Sequence, residues 1–267
     1  MSQEEIMTQE HAADDEQPNK DMEVHHHPDV GKKNFKEYLL EGVMIFLAVT
    51  MGFLAESLRE NLSDKEKEKE YITSFVRNLQ QDTTNLRYTI SDNQRKGRGL
   101  DSLIHLSFKN LGEPANSQLL YRYCRRYVGF YSAFISDDAT MLQLKNSGGL
   151  RFVKHSHIAD SIAQYDLEMR AIYLAESPYS KAIDGALTAM QELLIYTLQE
   201  DTAYYKNGVF TNKDLPLLTD DQKKIQIFFN KISDERGWTQ NYINNLQARL
   251  PFTIRLIKYL KEQYGLD

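Results

Sequence analysis

The residues able to do chemistry are scattered, and no group of them has the spacing of a known catalytic device. No stretch fits GxSxG, a phosphate-binding GxxxxGK[ST], HExxH, CxxC, Ser-x-x-Lys or a Gly-rich dinucleotide fingerprint. His25-His26-His27-Pro28 offers three imidazoles, a ligand type for zinc, copper or nickel. Three adjacent side chains on one short stretch cannot preorganise a metal, so no metal site is expected there. His155, His157 and Asp160 read as the polar start of a helix. Paired acids at Asp137-Asp138 and Asp220-Asp221 stand where helices begin, where orphan amides and the helix dipole favour carboxylates. Arg122, Arg125 and Arg126 lie among tyrosines and form the candidate anion-binding group, with a solvated basic face as the other reading. Cys124 is the only cysteine, which rules out an intramolecular disulfide and a cysteine-based zinc site. The expectation is a protein without catalytic activity or cofactor.

The remaining candidate lies on an apolar helix. Gly42 to Ala55 is a run of fourteen residues without a charge, lengthened to eighteen from Tyr38 if Glu41 is tolerated near its edge. At ~1.5 Å per residue eighteen residues span ~27 Å, close to the hydrocarbon thickness of a bilayer. Nine Leu, Ile, Val and Phe side chains between Leu39 and Leu54 favour insertion by roughly 3 to 5 kcal/mol, against at most ~3 kcal/mol for Glu41. The segment therefore reads as an uncleaved transmembrane helix. Glu41, Ile45, Ala48, Gly52 and Ala55 fall near one face, with Glu56 at its margin. Ala48 and Gly52 make a small-xxx-small pair that lets a second helix approach. These six residues are the candidate membrane-helix interface, for a second copy or for another membrane protein. Lys32, Lys33 and Lys36 before the segment, against Arg59 and Lys65 after it, favour a cytoplasmic N-terminus and a periplasmic C-terminal domain.

Charge divides the chain in the same place. The nine carboxylates and one lysine of Met1 to Gly31 carry −8 of a total of −6, so the remainder is near +2. Residues 1–31 are expected to be a disordered acidic tail, 32–57 the transmembrane helix with its basic flank, and 58–267 a helical domain. No basic stripe points to nucleic acid. With 41% hydrophobic and 11% aromatic residues the last part can build a real core.

Within it, apolar residues recur at helical spacing. Tyr71 to Ile90, about Asn116 to Phe134, Ser156 to Tyr173, a stretch opened by Ser177-Pro178, and a long stripe from Ile225 to Tyr264 near a 3.5 repeat all read as helices. Gly97 and Gly99 suggest a break, Gly112-Glu113-Pro114 a firmer one, and Gly148-Gly149 a helix end. Gly237 should weaken the last helix and Pro251 kink or divide it. Asn207-Gly208 marks a two-residue turn, so a short β-hairpin is expected near 204–211. The predicted fold class is all-α, one transmembrane helix followed by a bundle of long antiparallel helices.

His25-His26-His27-Pro28, Lys32-Lys33-Asn34-Phe35-Lys36-Glu37-Tyr38 and Met44 to Glu56 together resemble the opening of a family of bacterial membrane proteins catalogued as a domain of unknown function, and Leu144 to Arg151 is similar to a recurring stretch of that family. The resemblance implies a bacterial inner-membrane location with an extracytoplasmic helical domain, and it carries no activity or site. The expected function is a membrane-anchored interaction or scaffold protein. The alternative is a ligand-sensing domain that signals through the transmembrane helix.

Overall fold

The computed structural model describes residues 34–146, 148–212 and 214–267. The acidic tail, His25 to His27, Lys32 and Lys33 lie outside the described residues. Five α-helices and one hairpin follow in order: α1 (Phe35–His105), α2 (Pro114–Tyr127), α3 (Ala139–Asn146), α4 (Ser156–Leu193), β1 (Tyr205–Lys206), β2 (Val209–Phe210) and α5 (Gln222–Tyr264). The chain forms two units, divided after Leu58. The fold is all-α with a small hairpin, as the periodicity requires.

In the first unit, every residue from Asn34 to Leu58 except Thr50 is exposed, including the large apolar side chains from Phe35 to Leu58. The Thr50 hydroxyl donates to the Phe46 carbonyl at 2.7 Å, so the one polar side chain of the run is satisfied inside its own helix.

The second unit is built on heptads. Ile72, Leu79, Leu86, Asn93 and Leu100 recur every seven residues on α1 and are buried, as are Phe75, Asp82, Thr89, Lys96 and Leu103. On α4 the same period links Ile158, Tyr165, Ile172, Tyr179, Ala186 and Leu193, and on α5 Ile232, Thr239, Leu246, Thr253 and Leu260. Such spacing keeps one seam of each helix facing its neighbours, the coiled-coil arrangement. Asp82 meets Tyr165 and Lys96 meets Tyr179, so α4 runs parallel to α1. Tyr264 reaches Glu68 while Glu235 faces Lys96, so α5 runs antiparallel to α1.

A parallel pair needs a return path, which α2 and residues 128–138 supply. A chain without helix or strand carries unpaired amides and carbonyls, and side chains of the helices satisfy them. Asn93 donates to the Ser132 carbonyl at 2.8 Å and Asn85 to that of Ile135 at 3.2 Å. Asp82 accepts from the Asp137 amide at 2.6 Å, and the Tyr242 hydroxyl accepts from the Phe134 amide at 2.9 Å.

Several expected breaks are absent. α1 continues through Gly97 and Gly99, because Gly99 serves close packing: a Cβ there would stand 2.3 Å from the Tyr127 ring. α4 continues through Pro178 and α5 through Pro251. The carbonyls that these prolines free belong to Leu174 and Gln247, both exposed, so water can satisfy them. The helix expected to reach Phe134 ends at Tyr127, where Gly129 at φ +90° turns the chain. At the hairpin, Asn207 and Gly208 have φ of 52° and 82°, the positive pair that a type I′ turn requires.

Candidate functional site

Two features stand out: the exposed apolar helix of the first unit, and a polar layer across the core of the second. By length and composition α1 holds one segment apolar enough to cross a membrane, and none of it is buried. Glu41, Ile45, Ala48, Gly52, Ala55 and Glu56 are all exposed on it. A Cβ built on Gly52 would meet nothing within 4 Å, so the small-residue face is open.

The second feature divides the bundle's apolar interior in two. One cluster gathers Ile72 to Ile90 with Ile158 to Ile183 and Tyr242 to Leu260. The other gathers Leu100 to Leu111, Leu120 to Val128, Ala186 to Leu194, Phe210, Leu215 and Phe228 to Ile232. Between them sit Asn93, Lys96, Tyr179, Glu235 and Thr239, all at seam positions and all buried. Lys96 Nζ stands 2.7 Å from Glu235 Oε1 and donates to the Tyr179 hydroxyl at 3.1 Å. The Tyr179 and Thr239 hydroxyls share a hydrogen bond at 3.0 Å. The Lys96 contact is close but out of line for a directional hydrogen bond, and the Gly129 amide also draws on the Glu235 carboxyl. Burial pushes the Glu235 carboxyl up and the Lys96 ammonium down in pKa, and each is drawn back in part by the other.

Two heptads along α1 from Lys96 toward Glu68 lies a second polar group. Asp82, fully buried, accepts from the Tyr165 hydroxyl, from Ser136 Oγ at 2.7 Å and from the Asp137 amide. Burial raises its pKa despite these donors. Tyr131 packs between the layers, its ring tilted against Tyr179 at 4.8 Å and edge-on to Tyr242 at 5.7 Å.

The three arginines of α2 do not converge. All are exposed; Arg125 lies 4.7 Å over the Tyr205 ring and Arg126 5.6 Å over that of Tyr127. His155 and His157 pack ring on ring at 5.5 Å, and His157 continues the stack to Tyr259. Among the described residues no three His, Cys, Asp or Glu side chains come together as a metal site. Cys124 is buried, which pushes its thiol well above the usual range. An open cavity of about 660 Å³ lies between residues 107–112 and 214–222, with Lys109, Asp214 and Asp220 as its charged residues among those described. They make no ion pair with one another there.

The buried polar residues escaped the sequence reading, although a signal was present: Asp82, Asn93, Lys96 and Glu235 occupy positions where the seven-residue count demands apolar side chains. Fold and site together define a three-helix, heptad-seamed bundle on a chain that also carries a helix of membrane-spanning length. Comparison with protein-family models, with curated proteins and with solved structures finds no match.

Proposed function

We propose that this is a membrane-anchored interaction or scaffold protein of the bacterial inner membrane, with a cytoplasmic N-terminus and a periplasmic helical domain. The reading rests chiefly on the apolar segment of α1. Its large side chains are exposed on every side and its Thr50 hydroxyl is bonded within the helix, as a lipid environment demands. The lysines ahead of it support the orientation. In the second unit buried Lys96 and Glu235 face one another and buried Asp82 holds the 128–138 backbone, an arrangement suited to rigidity.

In this reading Glu41, Ile45, Ala48, Gly52, Ala55 and Glu56 face a second copy or another membrane protein. Fractionation of cells gives the first test. The chain should stay with membranes after an alkaline wash, and release by the wash alone would overturn the anchor. Purification in mild detergent gives the second. A defined oligomer or a co-isolated membrane protein is expected, and a clean monomer without a partner would overturn the scaffold role.

A further inference from the structure

Beside the polar layer, residues 92–96 of α1 and 126–132 enclose a pocket of about 220 Å³. We propose that it binds a small monocarboxylate with a flat apolar body. This assignment stands whether or not the chain spans a membrane.

Charge selects the ligand. Arg95, Lys96 and Arg126 line the pocket. Arg95 is ion-paired with Asp92, and Lys96 with Glu235. Arg126 has the Tyr127 ring beneath it and no carboxylate partner among the described residues. One positive charge is therefore uncompensated, which a monoanion neutralises and a dianion overshoots. Lys96, only 3% exposed, lines the same pocket with its charge already matched by Glu235, so the net positive charge there is that of Arg126.

Shape selects the rest. Tyr127, Phe130 and Tyr131 are the aromatic walls, and rings favour offset or edge contact with another flat group. A cavity of roughly 150 Å³ accepts benzene, so this one has room for a ring and its carboxylate. Two of the walls are already fixed: Tyr127 lies against Gly99, where a Cβ would be 2.3 Å from the ring, and Tyr131 packs at a tilt against Tyr179, 4.8 Å away. Little ordering remains to oppose binding.

Titration calorimetry of the full chain in mild detergent tests this with benzoate, acetate and inorganic phosphate. Benzoate should bind saturably at one site per chain, about tenfold or more tighter than acetate. Arg126→Ala, an exposed change that leaves the melting temperature alone, should weaken benzoate about tenfold. Absence of saturation by about 10 mM benzoate, an Arg126→Ala affinity equal to that of the native chain, or phosphate binding as tight as benzoate would each overturn the proposal.

Discussion

Lys96 Nζ and Glu235 Oε1 stand 2.7 Å apart with both side chains almost wholly removed from water. Two ions hidden together at the junction of two apolar clusters contribute little net stability, because desolvation consumes most of their attraction. Their value is positional: α5 can slide along α1 only by separating them, so they fix one register.

Removing one partner leaves the other buried and uncompensated. Lys96→Met should destabilise the bundle by about 3 to 5 kcal/mol, while Lys96→Met combined with Glu235→Leu should recover most of that loss. Denaturant unfolding of the single and double variants measures both. A single variant as stable as the native chain would contradict the register role.

Asp82 tethers the return segment. Asp82→Ala removes the acceptor for Ser136, Asp137 and Tyr165 and should cost about 3 kcal/mol or more, each bond to a charged acceptor contributing roughly 1.5 to 3. Hydrogen exchange should show lost protection at the Asp137 amide before any change on α5. Uniform loss along the bundle would mean that the tether is not local.

Glycine at 99 is required by the Tyr127 ring. Gly99→Ala forces the overlap that a Cβ at 2.3 Å implies and should cost about 1 to 3 kcal/mol by overpacking, even though alanine favours the helix. Tyr127→Ala in the same chain should relieve part of it. A melting temperature that rises in Gly99→Ala alone would show the ring to be free to move.

Acid should strengthen this fold before it weakens it. Asp82, Glu176 and Glu235 all have pKa values raised above their usual 3.8, 4.5 and 4.5, mainly by burial. The folded chain then binds these protons more tightly than the unfolded one. Their contribution is fully present below the ordinary values and is lost as pH rises through the raised ones. Lys96, lowered from 10.5, acts oppositely: its contribution is present at high pH and lost as pH falls through its lowered value. As pH falls toward the ordinary carboxylate range the carboxyl contribution grows, and the unfolding midpoint should rise, with a smaller slope in Asp82→Asn. A falling midpoint with the same slope in both chains would refute it.

Much of the architecture was legible because seam residues repeat and because Asn207-Gly208 permits few turns. Helix limits were less legible. Gly97, Gly99, Pro178 and Pro251 are breakers by local chemistry, yet tertiary packing and access of water to freed carbonyls decide at each of them. The polar layer was least legible, since Lys96 and Glu235 lie 139 positions apart and either alone looks like a solvated residue. That Arg126 shares a pocket with Arg95 and Lys96 was not legible, because those two come from another helix.

The bundle's two chain ends lie together, Glu68 beside Tyr264. Tension applied between them would load the antiparallel α1 and α5 as a zipper, one heptad at a time, instead of shearing every layer at once. Peeling would begin at the Tyr264 hydroxyl, cross the apolar cluster in small steps, and stall where Glu235 must be dragged from Lys96. That pair would then act as a mechanical stop roughly two thirds of the way from Tyr264 to the start of α5.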